Sequence, residues 1–286
     1  MTGVNPRAIY TIAKKEFLDN IRNKWIIVLT IIFIILTIAS SYLAGGQAGG
    51  GEMFGGMEET VVSLISISAM LIPLIAIMLG FSTIAGEAER GALSVVLSYP
   101  IRRGEVLLGK FLGLGSVLAV TPLIGFGLGG IVIAATVGAE EGLAYMAFIA
   151  LAIILGLMYL SLVIFISALC KSRMRAIAGG VILFFWAMIY GVIIMGVFIA
   201  TGGSYQELMS PTGMANLPDW FWASVVLSPN DTNQMAIMQA FGLEQVMGVP
   251  IEAPGWMSMN FLLVVQLVWI IVPLILAYFF FKRRDI

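Results

Sequence analysis

Histidine is absent from the 286 residues of this chain, and cysteine occurs once, at Cys170. Without histidine there can be no Ser-His-Asp triad, HExxH zinc site or histidine proton relay. A single cysteine excludes an internal disulfide framework, and we interpret Cys170 as a packing residue. We therefore predict no catalytic residue and no metal site in this chain.

Charged residues are also scarce, at 11% of the chain, whereas 60% of the residues are hydrophobic. The mean hydropathy of +1.03 is too high for a soluble globular domain of this length. Several apolar runs are long enough to cross a hydrocarbon core of about 30 Å as helices. We predict an all-α integral membrane protein with six transmembrane helices, at about 25–44, 61–85, 111–137, 143–169, 176–200 and 260–281.

Every second connection between these spans lacks Lys and Arg. All 15 basic residues lie before span one, between spans two and three, between spans four and five, or after span six. The other connections hold ten acidic residues: Glu52, Glu58, Glu59, Glu140, Glu141, Glu207, Asp219, Asp231, Glu244 and Glu252. The positive-inside rule then predicts a multi-pass protein of the cell membrane with both termini in the cytoplasm. The net charge of −1 gives no indication of nucleic-acid binding.

The predicted spans contain no ionisable residue, and Gln266 is their most polar mid-span side chain. Ion-coupled transporters usually keep a buried charge for the coupling ion, and intramembrane enzymes need a catalytic group. The driving energy is therefore expected from elsewhere. Residues 104–110 fit seven positions of a P-loop, but Phe111 replaces the required Ser or Thr and no strand precedes them. We conclude that this chain does not itself hydrolyse ATP.

The most informative connection joins spans two and three, and we name it the 86–110 segment. Leu93, Val96 and Leu97 recur at helical spacing, and Pro100 forces the preceding residue out of the helical region. Glu105 then fits the first turn of a new helix. The pattern predicts a helix, a break and a second helix that face water.

Two further patterns concern helix contacts. In residues 6–24, apolar positions every four residues, from Ile9 to Ile21, predict an amphipathic helix on the inner leaflet. This helix either anchors the topology or also touches a cytoplasmic partner. In span three, Gly125-x-x-x-Gly129 lets another helix approach closely, within the bundle or in a dimer.

Residues 201–259 form the only long outer segment. Ser228 and Asp231 fit a capping box with proline at the first helical position, and Gly242 fits a stop, which predicts a helix at about 229–241. We expect this helix to lie against the bundle or the membrane interface. Nine of the 17 methionines fall in outer connections. Thioethers suit Cu(I), but methionine is also an adaptable hydrophobe, and neither interpretation is excluded.

The 86–110 segment resembles a known signature. Residues 87–93 read EAERGAL, and LSYPIRRGE at 97–105 and GK at 109–110 follow. They resemble the E-x-x-x-G-T-L, L-S-x-P-I-x-R-x-E and G-K pattern of ABC-2 type transporter permeases, with Ala92 where that family usually has Thr. The basic first helix, the six spans and the outer helix are also similar. Length and the outer segment look most similar to permeases of nitrous-oxide-reductase maturation systems and related archaeal and bacterial permeases.

The resemblance implies one ABC-2 type transmembrane domain over residues 1–286, acting as a homodimer. It also implies a separate ABC ATPase subunit on the cytoplasmic side, which binds the ATP and Mg, so that this chain needs no cofactor. The 86–110 segment would then be the coupling helix. The implied coupling residues are Glu87 and Gly91 at its start, Leu93 and Leu97 for packing, Pro100 at its turn, and Arg102, Arg103 and Glu105, which pair with the ATPase or with the first helix.

These implications describe an ATP-driven permease subunit, more typical of an exporter than of an importer. Another interpretation of the charges is that they only anchor the loop at the headgroups. Another class of function is an ATP-independent channel or a membrane scaffold in an assembly complex. The apolar spans fit lipids, drugs, peptides or a metal-linked cargo equally well, so the sequence does not name the substrate.

Overall fold

The computed structural model describes residues 5–47, 57–136, 138, 142–204, 206, 217–243, 245–246, 249–250 and 253–284. The helices in this part of the chain are α1 (Pro6–Ile21), α2 (Lys24–Gln47), α3 (Met57–Gly80), α4 (Ala85–Glu89), α5 (Ala92–Leu97), α6 (Arg103–Thr136), α7 (Gly142–Leu169), α8 (Arg173–Ala200), α9 (Asp219–Val226), α10 (Pro229–Ala240) and α11 (Met259–Lys282). Strands β1 (Gln245–Val246) and β2 (Val249–Pro250) form one short antiparallel pair.

Six of these helices are long and apolar enough to cross a membrane: α2, α3, α6, α7, α8 and α11. The prediction of an all-α membrane protein with six spans is confirmed. The third span differs from expectation, because α6 begins at Arg103, well before the apolar run that starts at Phe111. The helix includes Glu105 and Lys110, and both side chains are buried among partners within the chain. The part of the 86–110 segment that belongs to α6 is therefore largely buried, whereas most residues from 89 to 100 are exposed.

Helix α7 lies at the centre of the bundle. Fifteen of its 28 residues are buried, whereas only four of the 28 residues in α8 are buried. Helix α7 packs against α3, α6 and α11, and the aromatic rings of Phe33, Phe126 and Phe148 join α2, α6 and α7 at centroid distances of 4.7 and 4.9 Å. The core is therefore built around α7, and α8 lies at its edge.

The N-terminal helix α1 packs against α6 on one side and exposes residues on its other side. Helix α1 ends at Ile21, and its apolar face lies on α6 near Gly109 and Gly113. A Cβ atom at Gly109 would lie 2.7 Å from Cβ of Ile12, so only glycine allows the two helices to come this close. The face expected to meet the inner leaflet is thus only partly covered by the third span, and its residues, from Ile9 to Ile21, are half-buried.

Helices α9 and α10 form a hairpin that enters the bundle. The predicted cap is present: Ser228 Oγ accepts from the Asp231 N–H at 3.2 Å, and Gly242 has a φ of +61° just after α10. The Trp269 indole N–H donates to the Val226 carbonyl at 3.1 Å. Trp269 lies ten residues after Met259, or about 15 Å along α11, which is half of the roughly 30 Å core.

Of the two expected positions for α10, against the bundle or at the membrane interface, the structure has the first. Helix α10 packs between α7 and α11, and the Asn233 side chain donates to the Leu151 carbonyl at 2.8 Å. Its apolar and amide side chains are therefore buried inside the bundle, which the capping pattern alone does not reveal. The predicted outer acidic residues Glu52, Glu140, Glu141, Glu207, Glu244 and Glu252 lie outside the described residues.

The basic segments meet at one end of the bundle, which we name the basic end. It comprises α1, the 86–110 segment, the α7–α8 turn and the end of α11. Arg103 contacts the end of α11, and Arg284 contacts the end of α7. This clustering agrees with the alternation of basic residues in the sequence.

Candidate functional site

The 86–110 segment contains two short helices, α4 and α5, before α6. Gly91 occupies the N-cap of α5 with a φ of +72°, in the left-handed region that glycine adopts without strain. Leu93 is fully buried, and Leu97 is partly buried against the core. Helix α5 ends at Leu97, and Pro100 lies in the bend that follows. Buried leucines therefore fasten α5 to the bundle.

The opposite side of α5 faces away from the protein. The side chains of Val95 and Tyr99 are each 63% exposed, and Arg90 and Pro100 are also exposed. Val95 lies two residues after Leu93, so helical geometry turns it well away from the buried face. Val95 and Tyr99 were not singled out from the sequence, although their spacing from Leu93 indicates that they are exposed. Together with Pro100 they form a small apolar surface at the basic end, which we name the Val95–Tyr99 surface.

A buried ion cluster holds the start of this segment. The Lys110 ammonium donates to Glu16 Oε1 at 2.7 Å and also to Glu87 Oε1. The Lys110 side chain is only 3% exposed. These three residues connect α1, α4 and α6. Glu87, predicted to shape the start of the coupling helix, is thus attached to the third span.

Helix α4 is also bonded to two other spans. Glu89 Oε2 accepts from the Arg173 N–H at 2.7 Å, so a negative charge lies at the positive N-terminus of α8. The Ser167 hydroxyl near the end of α7 accepts from the N–H groups of Ile84 and Ala85 at 3.1 and 3.0 Å. The loop therefore contacts α7 and α8 through directional hydrogen bonds.

Arginine side chains cap two helix C-termini at the basic end. The Arg103 guanidinium donates to carbonyls of Phe281, Lys282 and Arg284 at the end of α11. The Arg284 guanidinium donates to carbonyls at the end of α7, including that of Cys170 at 2.8 Å. Positive charge is favourable at a helix C-terminus, where carbonyls lack partners within the helix. Arg103 thus contacts the last span of its own chain.

Glu105 links the first turn of α6 to the start of α1. Its Oε1 accepts from the Asn5 N–H at 2.7 Å, and its Oε2 accepts from the Arg102 N–H at 3.0 Å. Arg102 itself is exposed. The sequence left open whether Glu105 pairs with the first helix, and in the structure it accepts from the N-cap residue of that helix.

Helix α1 carries a fixed positive charge beside the ion cluster. Burial by itself lowers the pKa of the Lys15 ammonium, but the negative charges of Glu16 and Asp19 outweigh it and raise the pKa above its ordinary value. Lys15 forms an exposed salt bridge with Asp19 at 3.3 Å. Lys15 therefore stays protonated throughout the physiological pH range.

The two glycines predicted to mediate helix packing contact the first span. A Cβ atom at Gly125 would lie 2.5 Å from Cβ of Phe33, and one at Gly129 would overlap Thr37. Both positions face α2 of the same chain. The close approach therefore occurs within the bundle.

Within the described residues, no group of three or more Cys, Asp or Glu side chains is placed to hold a metal ion.

Residues 104–110, which resembled part of a P-loop, are helical in α6. Of the outer methionines, Met53, Met209, Met214 and Met247 lie outside the described residues. At the basic end, one loop is thus bonded to three spans, α6, α7 and α8.

Six spans, a basic end and a loop bonded to several helices define a multi-pass α-helical membrane protein. The sequence matches the profile of the ABC-2 family transporter protein over residues 10–286, and the chain belongs to this family. It is 32% identical to a probable ABC transporter permease protein NosY of Stutzerimonas stutzeri over 96% of this chain and 98% of that protein. It is 31% identical to the protein of the same description from Pseudomonas aeruginosa, over 97% of this chain and 99% of that protein. The resemblance drawn from the motif is confirmed.

Proposed function

We propose that this permease works with a separate ABC ATPase subunit that docks on the Val95–Tyr99 surface at the basic end. Membership of the ABC-2 family implies such a partner. The observation that carries the proposal is that α5 exposes apolar side chains, while the adjoining α4 is bonded to α6, α7 and α8. ATP and Mg are bound by the partner.

The contacts support a route for the movement. Leu93 anchors α5, and Glu87 and Glu89 of α4 are bonded to α6 and α8. A displacement of α5 by the ATPase would therefore move these spans together, because the buried Glu87–Lys110 pair resists separation. Arg103 extends the connection to α11. Coupling on this proposal uses Glu87, Arg103 and Glu105 inside the permease, and the ATPase contacts the exposed residues.

The basic end faces the cytoplasm on this proposal, with both termini on that side of the cell membrane. The alternation of basic residues supports this orientation through the positive-inside rule. It also brings the Val95–Tyr99 surface to the compartment that contains ATP.

A second copy of the permease completes the transporter on this proposal, with α8 as the contact face. Helix α8 is the least buried span and exposes large apolar side chains such as Ile182 and Val192. The substrate would pass between the two copies and leave the cell when ATP-driven closure of the partners tilts them. Export is supported by the family resemblance of the coupling motif.

The test is to purify the tagged chain from its own cells in mild detergent, identify the proteins that co-purify, and measure ATP hydrolysis. The test variant changes Val95 and Tyr99 to Ala. The matched control is Leu143→Ala, which truncates a 90% exposed apolar side chain at the opposite end of the bundle.

The wild type and the control are expected to retain a two-lobed nucleotide-binding ATPase, and the double variant to lose at least about tenfold in ATPase affinity, because an aromatic anchor of an interface is removed. If no ATPase co-purifies with the wild type under several gentle conditions, the proposal is wrong and an ATP-independent channel or scaffold takes its place. Equal retention by the double variant would show that the ATPase docks elsewhere.

A further inference from the structure

A cavity of about 390 Å³ lies between α8 and the α9–α10 hairpin. Its walls are mostly apolar and include Phe221, Trp222, Met195 and Met235. Asp231 also lines it. An apolar cavity with a few converging polar groups is the usual form of a small-molecule site.

Asp231 is an unusual residue for this depth. It lies in the first turn of α10, beside the tip of the hairpin that reaches Trp269 halfway along α11. A carboxylate at membrane depth is costly and usually marks a functional site. Among the described residues Asp231 takes part in no salt bridge, and all Lys and Arg belong to segments of the basic end.

Helix capping explains only in part why an aspartate occurs at position 231. The Asp231 N–H donates to Ser228 Oγ at 3.2 Å, and the carboxylate is bonded to the same serine. Serine is neutral, and the positive N-terminus of α10 carries only a partial charge, so together they compensate the carboxylate only in part. An amide side chain could accept the same hydrogen bond without the cost of a buried charge. The cap and the helix dipole therefore stabilise Asp231 without supplying the full positive charge that would neutralise it.

We propose that the cavity binds an organic cation with an aromatic or alkyl body, whose positive charge pairs with Asp231. Phe221 and Trp222 line the cavity and provide aromatic rings, which attract a cation by the cation–π interaction, and the apolar walls bury its body. A cavity of this volume is far larger than a bare metal ion requires, which favours an organic cation over Cu(I) coordinated by the methionines.

The inference rests on the proposed function, because it names the class of substrate that the permease carries. The cavity is also lined by Gly191 of α8, the helix proposed to face the second copy. Its position therefore places the cation beside the proposed passage between the two copies.

The test is equilibrium binding of radiolabelled tetraphenylphosphonium to the purified full-length chain in detergent, with protein-free micelles as background. Tetraphenylborate, which has a similar shape and the opposite charge, is the competitor control. The variants are Asp231→Asn, which keeps a capping side chain, and Asp231→Glu, which keeps the charge. Asp219→Asn is the matched control, because Asp219 is exposed in the first turn of α9 and does not line the cavity.

We expect saturable binding by the wild type and the Asp219 control, a loss of at least about tenfold in affinity for Asp231→Asn, and a smaller loss for Asp231→Glu. Tetraphenylborate should not compete. Unchanged affinity in Asp231→Asn, competition by tetraphenylborate, or no saturable binding by the wild type overturns the inference.

Binding in this assay needs no ATPase. Cation binding without ATPase association would support this site and refute the proposed function. ATPase association without cation binding would support the proposed function and refute this site.

Discussion

The ammonium of Lys110 in the third span lies 2.7 Å from the carboxylate of Glu16 in the N-terminal helix. The two residues are 94 positions apart in the chain, and both are buried. Glu87 approaches the same ammonium from the loop after the second span. One buried cation thus holds together the surface helix, the loop and the third span.

Removal of this cation should destabilise the protein strongly. In Lys110→Met, the buried Glu16 and the partly buried Glu87 lose their shared positive partner, and we expect a loss of about 3–5 kcal/mol in the free energy of unfolding. The measurement is unfolding by SDS titration, followed by tryptophan fluorescence. Lys15→Ala, which breaks the exposed Lys15–Asp19 salt bridge, is the control and should cost less than about 1 kcal/mol. Similar losses in the two variants would contradict a structural role for the buried cluster.

The close approach of α2 to α6 predicts a position-specific effect of added methyl groups. Gly125→Ala should destabilise the protein by about 1–3 kcal/mol, because the new Cβ atom meets Cβ of Phe33, which is next to the backbone and cannot move aside. Gly127→Ala is the control on the same helix, since no atom lies within 4 Å of the added Cβ. The thermal midpoint in detergent should fall for Gly125→Ala alone. A fall of equal size at Gly127 would show that helix flexibility, and not packing, decides the result.

The cap at the end of α11 predicts that Arg103 is required for stability as well as for coupling. Arg103→Met removes the donor to the carbonyls of Phe281, Lys282 and Arg284, and we expect a loss of about 1–3 kcal/mol. Amide hydrogen exchange should become faster in the last turn of α11. Arg90→Met at an exposed position is the control and should leave exchange there unchanged. If Arg103→Met weakens ATPase binding without any change in exchange, Arg103 belongs to the docking surface instead.

The buried bond between the hairpin and the fourth span predicts an effect of the Asn233 amide. Asn233→Leu leaves the Leu151 carbonyl without this donor, and we expect a loss of about 1–2 kcal/mol in the free energy of unfolding. Ser116→Ala is the control, because the exposed Ser116 hydroxyl bonds only to the Leu112 carbonyl of its own helix. An Asn233 variant as stable as the control would indicate that α10 is held by apolar packing alone.

Much of the local structure followed from local signals. Ser228, Pro229 and Gly242 predicted both ends of α10 to within one residue, because caps act on the nearest backbone groups. The depth of α10 was not predictable in this way. It depends on bonds to other spans: Asn233 of α10 bonds to Leu151, and Val226 at the end of α9 bonds to Trp269.

In the candidate site, too, the features set by local spacing were predictable, and those set by distant contacts were not. The sequence indicated Leu93 and Leu97 as buried residues of the loop, since their spacing places both on one face. It did not indicate that Lys110 is paired, because its partners lie 94 and 23 positions away in the chain. The family resemblance implied that Arg103 pairs with the ATPase or with the first helix, and it did not indicate that the guanidinium caps α11.

Composition and order alone determined that the chain crosses a membrane six times, because a hydrocarbon core requires apolar helices of fixed minimum length. They also determined the motif by which the family is identified. The tertiary structure alone decided which charges face inward, which glycines meet the first span and how deeply the outer hairpin enters the bundle. The physical reason is that these features depend on pairing between residues far apart in the chain, and spacing along one helix does not reveal its neighbour.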